Sequence, residues 1–201
     1  MENKRIIVTG DKGYLASNII QTLNKHNEIV SYGGDVRIYK QHENIDVIIH
    51  FASPSDIYDF TDQKRTVTTI VDGTINMLKV AAENSAKLIY ASTMGVYSTV
   101  MSNDCYSTCK LAMEHYIKGT YNNYIILRIP RVYSKCRKKG LMRQIRDNII
   151  PEKDMDNNIE YITIEDFIEQ TLPILDYNNI THEYKITQSK SIREIKQWIE
   201  K

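Results

Sequence analysis

Two hydrophobic periods alternate along the chain. Short apolar, β-branched runs predict strands at Arg5 to Thr9, Glu28 to Tyr32, Asp46 to His50, Lys87 to Ala91 and Tyr124 to Arg128. Between them apolar residues recur at helical spacing. Leu15, Ile19 and Leu23 share a face of a first helix, and Val67, Ile70, Val71, Leu78 and Ala81 share a face of a long one from about Asp62 to Asn84. A further helix is expected from Tyr106 to Tyr121. After Pro130 the pattern loosens. A basic stretch, Lys135 to Arg146, precedes an expected strand at Ile159 to Thr163 and a helix from Glu165 to Asp176. A short strand at Tyr184 to Ile186 then leads to a last helix, whose Ser191 and Glu194 fit a capping box.

This βαβα alternation predicts an α/β fold: a Rossmann-type doubly wound parallel sheet with helices on both faces. Right-handed crossovers then place ligands at the carboxyl ends of the strands. No repeat or low-complexity linker breaks the pattern. The expectation is one domain over 1–201, with residues 131–201 contributing a small C-terminal substrate lobe.

Composition narrows the partners. The chain has 42% hydrophobic and 25% charged residues and a net charge of +1, so no global field draws it to nucleic acid or an anionic membrane. Tyrosine is abundant, but no basic–aromatic alternation suggests a single-strand platform. The early run Ile6-Ile7-Val8 is too short for a signal peptide or a membrane span, and the chain reads as cytoplasmic. Cys105, Cys109 and Cys136 have no metal-ligand spacing and are odd in number, against a disulfide framework. No metal site is expected, His50 included.

The first strand–helix junction reads Thr9-Gly10-Asp11-Lys12-Gly13-Tyr14-Leu15-Ala16. Gly10 permits a tight turn, Gly13 lets backbone approach a pyrophosphate, and Ala16 allows close helix–strand packing. The helix N-terminus offers unpaired N–H groups to phosphates. Alone, the pattern also fits an ordinary strand–helix connection. Near the end of the second strand no acid stands where ribose hydroxyls are usually bound. Gly33 falls there, with Asp35 and Arg37 just beyond. Arg37 suits a 2′-phosphate, which tilts the expectation to NADP over NAD, although a solvated Arg37 and a turn at Asp35 fit as well.

Tyr106 and Lys110 stand four apart, on one helix face. A phenol is a poor acid–base group at neutral pH unless a nearby cation favours its phenolate, and a lysine one turn away supplies that charge. Chance alone gives about one such pair in a chain this rich in both residues, so context matters. The upstream strand runs into Ser92-Thr93-Met94-Gly95-Val96-Tyr97. Further elements follow a known order: His50-Phe51-Ala52-Ser53, Asp72-Gly73-Thr74-Ile75-Asn76, Leu127-Arg128-Ile129-Pro130-Arg131-Val132-Tyr133 and Tyr161 to Asp166. With the glycine turn, these resemble the extended short-chain dehydrogenase/reductases, the NAD-dependent epimerase/dehydratase family, over nearly the whole chain.

The resemblance implies an NAD(P)-dependent enzyme acting on a nucleotide-linked sugar. Its compact form is similar to reductases of the dTDP-4-dehydrorhamnose type. An epimerase of the same family, or a non-catalytic dinucleotide-binding protein, is the alternative. By motif, Tyr106 is the acid–base, Lys110 lowers its pKa and holds the nicotinamide ribose, and Thr93 hydrogen-bonds the substrate oxygen. For Thr93, a hydroxyl capping the strand-to-loop turn is the alternative. Gly10, Lys12, Gly13, Tyr14, Leu15, Asp35, Val36, Phe51, Ala52 and Ser53 are expected around the cofactor. Ser53, Met94 and Arg131 join Thr93 around the substrate.

Several departures stand out. The chain is short for the family, and the connection from the second strand to the third is trimmed. Arg131 replaces the usual Asn and heads a basic cluster with Lys135, Arg137, Lys138, Lys139 and Arg143, read either as a diphosphate clamp or as a solvated loop. Met94 and Gly95 after Thr93 cannot do acid–base work, which disfavours a dehydratase. Cys109 reads as packing. A homodimer through the long helices from Asp62 and Tyr106 is compatible with the resemblance.

Overall fold

The computed structural model of the protein describes residues 1–54, 61–98 and 104–200. In chain order its elements are β1 (Arg5–Thr9), α1 (Tyr14–Leu23), β2 (Glu28–Ser31), β3 (Val47–His50), α2 (Gln63–Asn84), β4 (Lys87–Thr93), α3 (Cys105–Thr120) and β5 (Tyr124–Ile129). They continue as β6 (Val132–Tyr133), α4 (Leu141–Arg146), β7 (Asn158–Thr163), α5 (Ile164–Thr171), β8 (Ile180–Glu183), β9 (Gln188–Ser191) and α6 (Ile192–Glu200). A 3₁₀ turn, Met94–Ser98, follows β4 directly.

The main sheet has the order β2-β1-β3-β4-β5-β8, all parallel. Its central strands are apolar on both faces because helices cover both: all of β3 is buried, as is most of β4. Residues 32–46 contain no strand or helix. The sheet therefore stops at β2, without the outer strand of the order 3-2-1-4-5-6. The direction of winding reverses between β1 and β3, which opens the binding crevice at their carboxyl ends, Thr9 and His50.

One apolar layer joins the sheet to α1 and α5 through Ala16, Ile19, Leu23 and Phe167. The other joins it to α2 and α3 through Ile70, Met77, Val80, Met113 and Ile117. A smaller cluster lies under β7, α4 and α6, around Tyr133, Met142, Ile145, Tyr161 and Ile195.

Local chemistry fixes the helix starts. Asp62 caps α2 by accepting from Arg65 N, and Thr163 with Asp166 forms a full capping box on α5. Ser191 and Glu194 exchange the expected hydrogen bonds at α6.

Four expectations change. Val67 is exposed, because the buried stripe of α2 runs instead through Thr66, Ile70, Gly73, Thr74 and Met77. The helix expected to reach Asp176 ends as α5 at Thr171, where a 3₁₀ turn containing Pro173 takes over. The strand expected at Tyr184 to Ile186 lies earlier, as β8, while Tyr184 packs its ring on Phe167 at 5.5 Å. Within the stretch expected only as basic, Leu141–Arg146 forms α4, with Met142 and Ile145 buried.

Candidate active site

The glycine turn folds as its residues require. Gly10 has φ +68°, and a Cβ there would stand 2.9 Å from Ala52 N. A Cβ on Gly13 would stand 2.8 Å from Gly10 O. No side chain caps α1, and its first turn carries no acid. The N–H groups of that turn, bordered by Lys12, Tyr14 and Leu15, are left without a side-chain cap and could cradle a pyrophosphate. The residues fit a dinucleotide.

Thr9 and His50 lock the crevice floor. Ala52 N donates to Thr9 Oγ1 at 3.1 Å, and the same hydroxyl shares a hydrogen bond with His50 Nδ1 at 2.7 Å. Burial, with the Lys110 charge adding to it, pushes His50 down to about 3, so its imidazole is neutral. Phe51 packs edge-on to Phe167. Val36 is buried against Gly73 of α2, and its carbonyl accepts from Asn76 Nδ2 at 2.8 Å. That contact gives the Gly73 and Asn76 positions of the sequence motif their structural reason.

Beyond β2, Arg37 grips Asp35 with Nε and Nη2. The guanidinium holds the Asp35 carboxyl down at about 2. The pair borders a cleft of about 430 Å³ whose wall also carries Asp62, Lys64, Arg65 and Asp72. Asp11, which the sequence reading passed over, accepts from Ser31 Oγ at 3.3 Å and so brings an acid against the end of β2.

At the other end of the crevice, Asp104 caps α3 by accepting from Tyr106 N and Ser107 N, both at 3.1 Å. This cap sets Tyr106 in the first turn and Lys110 one turn later. Its signal was legible as an Asp two residues before the tyrosine. Lys110 is 1% exposed. Its Nζ donates to Ala91 O at 2.6 Å and lies 4.7 Å from the centre of the Tyr90 ring and 5.7 Å from that of Tyr106. Burial pushes Lys110 down to about 7.

The expected lowering of the Tyr106 phenol by Lys110 is not found. Burial raises the phenol above its ordinary value, a hydrogen bond with the Ser53 side chain and the charge of Arg137 oppose that rise, and Asp104 adds to it. Thr93 Oγ1 accepts from Gly95 N at 3.1 Å, the turn-capping contact weighed from sequence. A Cβ on Gly95 would meet Ser107 Oγ at 2.6 Å and Thr93 Oγ1 at 3.4 Å, so the turn carrying Thr93 and Met94 is seated on the start of α3.

The basic cluster divides. Arg131 is exposed. Arg137 lies over the Tyr14 ring at 5.6 Å, binds Val132 O and acts on Tyr106. Arg146 ties the loop down through the carbonyls of Lys135 and Arg137. The structure therefore brings Arg137 against Tyr106, while Arg131, singled out from the motif, stands exposed. Among the described residues no group of three or more His, Cys, Asp or Glu side chains could hold a metal, and no helix is long and apolar enough to cross a membrane.

A model of the NAD dependent epimerase/dehydratase family matches residues 6–186. The chain belongs to that family. Epimerase/dehydratase-family proteins are NAD(P)-dependent enzymes of the short-chain dehydrogenase type. Over 47% of its length this member is 31% identical to UDP-glucuronic acid decarboxylase 6 of Arabidopsis thaliana, a match that takes in 35% of that protein.

Its fold is that of the UDP-N-acetylglucosamine 4-epimerase from Methanobrevibacter ruminantium M1 (TM-score 0.80, 16% identity, 98% of this chain and 81% of that one). It is similar too to dTDP-4-dehydrorhamnose reductase from Bacillus anthracis str. Ames in complex with NADP (TM-score 0.77, 20% identity, 99% and 80%). The UDP-glucose 4-epimerase of Thermus thermophilus, in complex with NAD, has the same fold (TM-score 0.75, 17% identity, 97% and 82%).

Proposed function

We propose that this family member is an oxidoreductase that reduces a keto group of a nucleotide-linked (deoxy)sugar with NAD(P)H. One observation carries the reading: Tyr106 and a fully buried Lys110 stand one turn apart on α3, with the lysine ammonium beneath the phenol. A phenol raised by burial stays protonated, which suits the donor of a proton to a reduced carbonyl oxygen. The nicotinamide supplies the hydride when bound. Ser53 orients the Tyr106 hydroxyl. Thr93 keeps its own O–H for the substrate oxygen, since its lone pair already serves Gly95. An ammonium has three donors, and Ala91 takes one, so Lys110 has others for ribose hydroxyls.

The backbone from Gly10 through Lys12, Gly13, Tyr14 and Leu15 would cradle the pyrophosphate, and Phe51 and Ala52 would wall the crevice. Asp35 and Val36 would border the adenosine. Arg37, Lys64 and Arg65 around that cleft favour a 2′-phosphate, so NADP is the preferred cofactor in this reading, with Asp11 and Asp35 the groups that would serve NAD. Residues 131–201 would form the substrate lobe, with Arg131 and Met94 at its edge and Arg137 reaching in. Exposed Val67 and Ile75 on α2 and Tyr116 on α3 suit a homodimer through these two packed helices.

The test is turnover: purified protein with NADPH or NADH and a panel of nucleotide-linked 4-keto-6-deoxy sugars. Consumption of the nicotinamide with formation of the sugar alcohol supports the reading. Interconversion of sugar epimers without net consumption replaces it with an epimerase.

A further inference from the structure

The chemistry above has no use for the buried acid of α3. Glu114 is 1% exposed and stands one turn beyond Lys110, about 5–6 Å away between Cβ atoms. Its Oε1 accepts from Ser92 Oγ at 2.5 Å. Arg128 grips the same carboxylate as a fork, Nη2 to Oε2 at 2.7 Å and Nε to both oxygens at 3.1 Å. Its Nη1 donates to the Tyr97 hydroxyl at 2.6 Å and to Glu183 at 3.1 Å, and the Tyr97 hydroxyl donates to Glu183.

The anchor points matter more than the number of bonds. Ser92 precedes Thr93 on β4, and Tyr97 lies in the turn that follows it. Arg128 faces Ser92 across the β4–β5 register. Glu114 shares its helix with Tyr106 and Lys110. The network thus joins the strand and turn of the candidate substrate hydroxyl to the helix of the candidate acid and cation. Stability alone is a weak reason for such a pair, because an apolar pair of similar shape commonly does as well. A planar fork, by contrast, admits one geometry.

We propose that Glu114 is a positioning residue for Lys110: its carboxylate, locked by Arg128 and Ser92 one helical turn away, is the fixed negative charge that holds the buried ammonium aimed at the cofactor ribose. The inference rests on the Tyr106–Lys110 reading. Burial lowers Lys110, and Cys109 and Glu114 oppose that effect. The other titratable groups around Lys110 are Tyr106 on its own helix, Tyr90 from β4 and the neutral His50 from β3. Around Glu114 stand Arg128 from β5 and, at 3.9 Å, Lys118 of α3.

The experiment is NADPH affinity by nicotinamide fluorescence from below to well above pH 7. Wild-type affinity falls as Lys110 loses its proton. Glu114→Gln moves that midpoint down by about one pH unit, a change that a purely structural role would not produce. If Glu114→Gln does not fold because Arg128 is left without its acid, the Glu114→Gln/Arg128→Met double variant leaves no unpaired charge. The carboxylate, not the guanidinium, stands one helical turn from Lys110, so the midpoint still falls, by less than in Glu114→Gln because the opposing cation is gone as well. A midpoint unchanged in these variants, while Lys110→Met abolishes the pH dependence, overturns the inference and leaves the Tyr106–Lys110 reading standing. Wild-type pH dependence in Lys110→Met overturns both.

Discussion

Lys110 donates a 2.6 Å hydrogen bond to the carbonyl of Ala91 from a position almost wholly closed to solvent. An ammonium so placed costs stability, and the size of that cost depends on pH. Its pKa falls from an ordinary 10.5 to about 7 on folding. Below about 7 both states carry the proton and the full cost is present. Between about 7 and 10.5 the unfolded chain holds a proton that the folded one lacks, so stability recovers as pH rises. Lys110→Met should therefore stabilise the fold, by on the order of a few kcal/mol at or below pH 7 and by less as pH approaches 10. Thermal unfolding at two pH values checks this; an equal gain at both would show that no buried charge is carried there.

Tyr106→Phe removes one oxygen from a half-buried ring and leaves Lys110 and the glycine turn in place. Turnover should fall by about 10²–10⁴-fold, with nicotinamide affinity unchanged. Steady-state kinetics beside a binding titration separates the two. Turnover that survived in the phenylalanine variant would move the proton donor elsewhere.

Gly10→Ala should be costly for two separable reasons, a φ of +68° and a Cβ 2.9 Å from Ala52 N. The expected loss is about 1–3 kcal/mol, together with loss of dinucleotide binding. Gly119→Ala, in α3 with nothing within 4 Å of the new Cβ, should instead stabilise by about 0.4–1 kcal/mol. Denaturant unfolding of the two variants measures the contrast.

Arg37 is exposed and paired with Asp35, so it can leave its acid for a phosphate at little cost. Arg37→Ala should weaken NADPH binding by about tenfold and leave NADH binding nearly unaltered. Equal effects on the two cofactors would remove Arg37 from any role in choosing between them.

Much of this architecture was written in the hydrophobic pattern. Runs such as Val47-Ile48-Ile49 and Leu88-Ile89-Tyr90 are long and apolar enough to be strands buried on both faces, and β1 to β5 lie where they were expected. The pattern failed where burial is partial. β8 has the sequence Ile-Thr-His-Glu and holds its place by pairing with β5, while the more apolar Tyr184 beside it serves the core.

The glycine turn and the Tyr106–Lys110 pair were legible because their spacing is local. The Ser92–Glu114–Arg128 network was not, since its members come from three elements and each reads singly as an ordinary surface polar residue. Arg137 was missed as an individual for a related reason: a run of cations does not say which one the loop turns inward. The trimmed connection after β2 was visible as a short gap, and its consequence is a sheet that ends one strand early.

The most direct test is a fluorescence titration of the purified protein with NADPH and with NADH. Saturable binding of a reduced nicotinamide is expected, tighter for NADPH, lost in Gly10→Ala and retained in Tyr106→Phe. Absence of binding by either cofactor at near-millimolar concentration would contradict the oxidoreductase reading for this chain.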